Sequence, residues 1–549
     1  MKPANNGTKI IILILLSTVF FMLGNGLLSL TNPDEVFYAQ TAKEMIQHKT
    51  WAVPYLFGAP QFEKPVLTYF LMRAGFLVLG INNFSARFMP ALFAMLGVIA
   101  LYLLGRFAWR DEKKAFFCSL ILMSSGFYIG LARTVFTDMI FSVLILFAFA
   151  SFFWGYSHRE RKGPGIILFF IFCGLAVLTK GPLGFLIPAA SVIIFLALRR
   201  ELKFIFCRES AWGVVLFLAV SVPWYAFMIK KFGQSFIQEF FYNDHIRRVL
   251  EAEHKGNDTW YFYPFSMVAF MFPWAIFSAA SLFFLFKKLK DRASQPIYLY
   301  LACWITVVFL AFQPAHSKLT SYILPAFPAL ALITGGFIYD AIINKSRLIK
   351  GLMLASWLIF ACFPAVLLIS AGKYPEYVTT KGPVYALAIV FSALLLAMLA
   401  VILKKKLFAG IYLFMIPVPL VLYFALFSRG YFEAYVSSKA ASEYLLKNYE
   451  IKNAILCSRS YARGVRYYTD KDTAVINISG RAFFSPHSIP YFGADEPARE
   501  FLVKQGTTYC VLKRGSVEDV ERIAGAEFEI EKLNKIGDEY IVRVRRVQK

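Results

Sequence analysis

The chain has 549 residues, is 58% hydrophobic and only 17% charged, and carries a formal net charge of +24. A soluble protein of this size would show about 25% charge, so a water-soluble globule is excluded. The positive balance does not make it a nucleic-acid module, because the basic residues fall in short clusters between apolar runs and form no basic stripe.

The amino terminus, Met1 to Lys9, is short and basic, and an apolar run follows from Ile10 to Leu30. About 20 apolar residues suffice to cross a bilayer. No small-residue cleavage site precedes Asn32-Pro33, so the run reads as a retained first span with its amino terminus in the cytoplasm. Asp34 and Glu35 follow directly, which places two carboxylates at a membrane surface. They suit proton chemistry or a metal on a lipid substrate, or simply the start of an interfacial helix. The segment 31–83 is too long for a bare loop. Helical spacing at Glu35, Tyr38, Ala42, Met45 and Ile46, and a second apolar stretch from Val66 to Ile81, predict two interfacial helices with Glu63-Lys64-Pro65 between them.

Apolar runs then occupy 84–105, 115–132, 139–156, 164–178, 182–198, 211–229, 262–286, 297–313, 323–343, 351–371, 383–403 and 407–427, for about thirteen spans with the first. Basic clusters lie at every second connection: Arg106 to Lys114, Arg159 to Lys162, Arg199 to Lys203, Lys287 to Arg292, Lys345 to Lys350 and Lys404 to Lys406. This periodicity assigns those connections to the cytoplasm. The opposite face receives 31–83, 133–138, Lys180, 231–260, 314–322, 372–382 and the tail. From residue 428 the composition shifts to short β-rich runs (Ala454 to Cys457, Ala474 to Ile478, Tyr509 to Leu512, Tyr540 to Val544) with helix-like stretches near 438–447, 496–504 and 516–524. The expectation is a polytopic α-helical membrane domain over 1–427 and a small α/β domain over 428–549, outside the membrane. Of the seven cysteines, Cys457 and Cys510 lie on strand-like segments of the tail, where a disulfide and free core thiols are both open.

The spans contain almost no charge, which counts against an ion-coupled carrier. Polar chemistry concentrates on the outer rim in four clusters: Asp34-Glu35; Glu63-Lys64-Pro65; Arg133 to Asp138; and Asp244-His245-Ile246-Arg247-Arg248 with His316-Ser317-Lys318 and Tyr322. Carboxylates serve base or metal work, and Lys or Arg suits a phosphate shielded from water. Against this stand ordinary roles: Asp138 as a helix cap, His245 as an interfacial residue, and Lys64, Arg248 and Lys318 as membrane-surface anchors.

The run Asn32-Pro33-Asp34-Glu35-Val36-Phe37-Tyr38-Ala39 resembles the first outer loop of the protein-mannosyltransferase-like superfamily of GT-C glycosyltransferases, and more closely the bacterial aminoarabinose transferases that modify lipid A. The likeness continues in order through Phe62-Glu63-Lys64-Pro65, Asn82-Asn83-Phe84, Leu178-Thr179-Lys180-Gly181, Pro223-Trp224, His245-Ile246 with Arg248, and Lys318-Leu319 with Tyr322 to Pro325. The resemblance implies a GT-C fold, a polyprenyl (undecaprenyl) phosphate sugar donor and a lipid A acceptor, at the periplasmic face of the bacterial inner membrane. It implies catalytic roles for Asp34 and Asp138. Glu35, Tyr38, Lys64, Arg248, Lys318 and Tyr322 are implied at the substrate or carrier phosphate, and Glu63 and His245 at a bound zinc; no organic cofactor is implied. Where the family tends to have Arg, Tyr and two prolines, this chain has Phe37, Gln61, Met139 and Thr320, changes that bear on the sugar and acceptor more than on the reaction type. The rivals are a hexose (mannose-type) transferase acting on protein or glycan, a ligase using diphosphate-linked donors, and a carrier or flippase for lipid-linked oligosaccharides.

Overall fold

The computed structural model describes residues 6–251, 255–291, 295–373, 381–478, 480 and 487–547. Arg292 of the fourth basic cluster and most of the segment 372–382 lie outside the described residues. The chain divides into two compact units. One comprises Met1–Asn25, Lys64–Thr68 and Arg87–Ala425; the other comprises Gly26–Glu63, Tyr69–Ala86 and Leu426–Lys549. The outer loop therefore groups largely with the carboxy-terminal segment, not with the spans that flank it in sequence.

The first unit is helical. Among the described residues, eight helices in the chain are long and apolar enough to cross a membrane, and a ninth crossing arises if Glu112–Met123 and Gly126–Ala132, bent by 67°, act as one span. Other apolar runs of the expected thirteen form shorter helices, Gly7–Met22, Leu183–Leu198 and Pro296–Phe312. The run 262–286 is broken into Phe262–Ala269 and Ala275–Lys290, with Pro273 in the gap, where its missing N–H interrupts the helical ladder.

The helices Thr137–Ser157 and Lys162–Lys180 run back to back through the short turn at Arg159–Arg161. Glycines let them approach: a Cβ at Gly165 would lie 2.7 Å from both Ser151 O and Gly155 Cα. Next to this contact Phe149 stacks on Trp304 at 4.1 Å, and Tyr300 packs on Phe152, Phe153 and Phe195. Because the pair is antiparallel, the first turn of one helix and the last turn of the other share one end.

The second unit contains a six-stranded sheet. A small hairpin in the outer loop supplies β1 (Tyr55–Leu56) and β2 (Ala59–Pro60). The sheet strands are β3 (Ile455–Ser458), β4 (Thr473–Ile476), β5 (Tyr491–Phe492), β6 (Thr507–Leu512), β7 (Phe528–Ile536) and β8 (Glu539–Arg546), in the order β5-β4-β3-β6-β8-β7. The pairs β5-β4, β4-β3 and β3-β6 are parallel, and β6-β8 and β8-β7 are antiparallel. Helices Ala462–Thr469, Asp495–Gln505 and Arg514–Ala524 connect the strands. Apolar cores form on both faces of the sheet. In the β3–β6 register Cys457 faces Val511 and Leu456 faces Cys510. Successive side chains alternate faces, so the two thiols sit on opposite sides of the sheet, each in its own core. Both cysteines are free.

The outer loop does hold two helices, Asp34–Gln47 and Leu67–Leu79, with Glu63-Lys64-Pro65 between them. The first is not one-sided, as a helix floating at an interface would be: from Glu35 to Ala42 every residue is buried. Lys43 reaches Asp470 at 2.7 Å and the carbonyl of Tyr467 at 3.0 Å. Glu44 accepts from the backbone N–H groups of Phe57 (3.0 Å) and Gly58 (2.8 Å). Those two turn residues have φ of +56° and +77°, the left-handed pair of a tight hairpin turn, and a buried carboxylate satisfies the N–H groups that the turn leaves open.

Candidate active site

In the first unit the outer-rim residues form a connected polar chain. Asp138 lies in the first turn of Thr137–Ser157 and Lys180 in the last turn of Lys162–Lys180. The partial charges of the two helix ends favour an anion at the first and a cation at the second. Their side chains form a direct ion pair, Lys180 Nζ to Asp138 Oδ1, with both buried. Asp138 thus answers a lysine across the helix pair, in addition to sitting where a capping residue would. Lys180 Nζ also lies 4.1 Å from the centre of the Tyr322 ring, a cation–π contact.

The Tyr322 hydroxyl accepts from Arg248 Nη1 at 3.3 Å. Arg248 Nε stands 2.9 Å from Asp244 Oδ1, and Lys64 Nζ stands 2.8 and 2.6 Å from the two oxygens of the same carboxylate. Burial alone would raise the Asp244 carboxyl; Lys64, Arg248 and His245 outweigh it and hold the group below the ordinary carboxylate range. Lys64, Lys180 and Arg248 face Asp138 and Asp244, so among these five side chains the cations outnumber the carboxylates in a nearly dry place. Such an arrangement has the chemistry that suits a phosphate.

Asp244 and His245 belong to a π-helical segment, Ile237–Ile246, a wide winding common at functional sites. The His245 Nδ1–H donates to Phe240 O at 2.7 Å, and burial pushes the imidazole below its usual range against the pull of Asp244. Its ring rests on Gly181, which has φ +85° and whose added Cβ would lie 2.5 Å from His245 Nε2. Gly181→Ala is therefore expected to cost about 2 kcal/mol or more through backbone strain and the displaced imidazole. Comparing the thermal midpoints of the two purified proteins checks it; equal midpoints would remove this role for Gly181.

The stretch His316–Leu319 is stitched to its neighbours: the His316 and Ser317 N–H groups donate to Val249 O and Arg248 O, both at 3.1 Å. Lys318 does not join the Asp244 cluster. Its Nζ pairs with Asp258 at 2.8 Å, and His316 Nδ1 meets the other Asp258 oxygen at 2.7 Å. Arg133 also turns away from catalytic duty, donating to Phe20 O (3.2 Å) and Leu23 O (2.9 Å).

In the second unit Asp34 and Glu35 open the helix Asp34–Gln47, with Asp34 exposed and Glu35 buried. Glu35 Oε2 accepts from both the N–H and hydroxyl of Thr31 at 3.0 Å, so it closes the turn that presents Asp34. Tyr38 is buried between Phe37 and Tyr69, with ring centres 5.0 and 6.0 Å away. Glu63 Oε1 lies 3.5 Å from His487 Nε2, which accepts from Arg463 at 2.8 Å. Burial pushes the His487 imidazole down to about 4, opposed by Glu63 and aided by Arg463. The expected zinc residues Glu63 and His245 thus fall in different units, and Glu63 has His487 beside it. Among the described residues no three His, Cys, Asp or Glu side chains gather as a metal site would require.

Sequence reasoning placed Lys180 on the outer face without giving it a role, and passed over Asp258, Arg463 and His487. For Lys180 the signal was present: a single lysine followed by glycine between two apolar runs. For the others the partners lie 24 or more residues away, and no local pattern marks them.

Three comparisons bear on this architecture. The family model described as dolichyl-phosphate-mannose-protein mannosyltransferase matches residues 10–236. The undecaprenyl phosphate-alpha-4-amino-4-deoxy-L-arabinose arabinosyl transferase of Serratia proteamaculans is 28% identical over 382 residues, 68% of this chain and 67% of that protein. Its namesake from Edwardsiella ictaluri is 31% identical over 313 residues, 56% of this chain; the chain thus spans 55%, little more than half, of that relative. The crystal structure of ArnT from Cupriavidus metallidurans bound to undecaprenyl phosphate superposes with a TM-score of 0.81 over 98% of both chains at 17% identity, which shows a shared fold. Family model, relatives and fold converge on one likeness: the chain is similar to the aminoarabinose transferases and, over residues 10–236, to the protein mannosyltransferases, which are membrane glycosyltransferases using lipid-phosphate sugar donors.

Proposed function

We propose that the chain transfers 4-amino-4-deoxy-L-arabinose from undecaprenyl phosphate to a lipid A phosphate, at the periplasmic face of the inner membrane. The observation that carries this reading is the buried cluster of Lys64, Arg248 and Tyr322 around Asp244. In the reaction an acceptor oxygen attacks the anomeric carbon, the bond from that carbon to the carrier phosphate oxygen breaks, and the carrier leaves as a phosphate monoester. The departing phosphate gains negative charge, and prearranged cations at low dielectric stabilise that gain most where it develops. Lys64 and Arg248 hold the phosphate, with Tyr322 aligning the guanidinium. Lys318 serves the carrier phosphate from its own pairing with Asp258.

A lipid A phosphate is already ionised and requires no base. Asp34 then pairs with the sugar amine and fixes the donor; for a hydroxyl acceptor the same carboxylate would take the proton. Asp138 acts with Lys180 as one unit. Glu35 keeps the Asp34 turn closed, and Tyr38 lines the same helix. The mannosyltransferase family description supports a second reading, a hexose donor with a protein or glycan acceptor.

Mass spectrometry of lipid A separates the two. The host lacks its own transferase but makes the aminoarabinose donor, and carries this chain or its Asp34→Asn variant. The expected result is an added aminopentose with the intact chain and none with the variant. Unmodified lipid A beside a folded, membrane-inserted chain would transfer the proposal to hexose donors, and modification by Asp34→Asn would remove Asp34 from the mechanism.

A further inference from the structure

Three of the four residues before Pro33, namely Ser29, Leu30 and Asn32, are tied to the carboxy-terminal segment, all within the second unit. Glu433 accepts from the Ser29 N–H at 2.7 Å and from its hydroxyl. The Leu30 N–H donates to Tyr468 Oη at 2.8 Å, and the Asn32 N–H to Val436 O at 2.9 Å. The Asn32 side chain is gripped from two sides. Its Nδ2 donates to Ser438 Oγ at 2.6 Å, and Gly464 lies so close that an added Cβ would stand 2.1 Å from Asn32 Oδ1. Ser438 in turn donates to Glu539 Oε1.

Glu539 is the first residue of β8 and is 3% exposed. Its second oxygen has no hydrogen-bond partner among the described residues. A carboxyl in this position is expensive unless it does something. Asp34 stands two residues beyond the gripped Asn32. We infer that Glu539, acting through Ser438 and Asn32, is a positioning residue for glycosyl transfer, holding the turn that presents Asp34 from inside the carboxy-terminal domain. This rests on the role given to Asp34 above.

Protonation sets how firmly the relay holds. As a carboxylate, Glu539 accepts only, so the Ser438 hydroxyl points at it and offers its lone pair to Asn32. As an acid, Glu539 can donate to the same Ser438 oxygen and compete with Asn32 for it. Burial raises this carboxyl to about 7, with the Ser438 hydrogen bond pulling the other way. The other titratable groups near it are Asp538, the next residue back, the Cys457 thiol on β3, pushed well up by burial, and the Tyr461 phenol, raised to about 12. Neither the thiol nor the phenol titrates near neutrality.

The sign of the effect distinguishes positioning from mere support. A carboxyl raised in the folded state binds its proton more tightly folded than unfolded. The domain is therefore most stable at low pH and loses stability as pH climbs from the ordinary carboxylate value to about 7. The hold on Asn32 moves the opposite way and tightens as pH passes about 7.

The test measures transfer and thermal midpoint of the full chain in membrane vesicles across about pH 5 to 9, with aminoarabinosyl undecaprenyl phosphate and lipid A. With the intact chain kcat is expected to rise through about 7 while the midpoint falls. Glu539→Gln should flatten both and lower kcat about tenfold at high pH. Ser438→Ala should do the same to kcat, and the double variant should be no worse than either single one, because both cut one relay. Gly464→Ala, which presses on Asn32 from the other side, should lower kcat with KM held. Wild-type kcat and pH profile in Glu539→Gln, or multiplied losses in the double variant, would overturn the relay. Asp34→Asn runs in the same assay. An inactive Asp34→Asn beside an unaltered Glu539→Gln overturns the relay alone; an active Asp34→Asn overturns the role of Asp34 and with it the reason for holding the turn.

Discussion

Replacing Asp244 with Asn is expected to cut glycosyl transfer by about 100- to 1,000-fold and to destabilise the first unit by about 3–5 kcal/mol. Asparagine keeps the shape and removes the charge. Lys64 and Arg248 then lie side by side at 13% and 14% side-chain exposure, with the Asp244 charge gone from between them in a place where water screens poorly. Repulsion splays both away from the carrier phosphate, so the loss falls on kcat, with KM following in part. The pH dependence has a fixed sign. The Asp244 carboxyl lies below its ordinary range because the three basic neighbours outweigh burial. Its contribution is fully present above the ordinary carboxylate value and fades as pH falls through the depressed one. Transfer assays and thermal melts of the purified variant at two pH values read both effects. Full activity would show that the Lys64–Asp244–Arg248 cluster is a structural ion network only.

The second large effect is expected at the pair Lys180 and Asp138. Lys180→Met leaves the Asp138 carboxylate buried without its cation and should cost about 3–5 kcal/mol. Asp138→Asn should cost less, because the lysine still lies over the Tyr322 ring. Removing both charges should restore much of the stability, as buried ion pairs replaced whole often are neutral. Activity should not return with it if Asp138 has the catalytic role that the resemblance implies. A double-variant cycle followed by melting and by transfer tests this. Recovery of transfer together with stability would reduce Asp138 to a partner for Lys180.

The sequence made the membrane body legible through hydropathy and the alternating basic clusters, both of which are local patterns. Four strands and three helices of the tail were legible for the same reason. Strand β7 was not, because its alternation of Phe528, Ile530 and Ile536 with charge is broken by a bulge between Lys532 and Asn534, which shifts the period midway. The helix Ala462–Thr469 was hidden by its arginines and tyrosines. The rim residues were recognisable as a set, but their partners were not: Asp244 holds Lys64 from 180 residues away, a distance at which spacing carries no information. The burial of Asp34–Gln47 was also partly out of reach, since Lys43 on it meets Tyr467 and Asp470, more than 400 positions later.

The placement of the thiols has a practical side. Five of the seven cysteines are buried, Cys207 is partly covered and Cys362 is exposed. A water-soluble maleimide thus meets little competing native sulfur once Cys207 and Cys362 are replaced, and the sheet, having no cross-link to lose, keeps its cores under reducing buffers. Reporter cysteines at the exposed Asn344 and Lys452 then read the sidedness of the connection after Phe327–Ile343 and of the carboxy-terminal segment in intact cells. Ser438 would be a poor reporter, because it is enclosed and spoken for by Glu539.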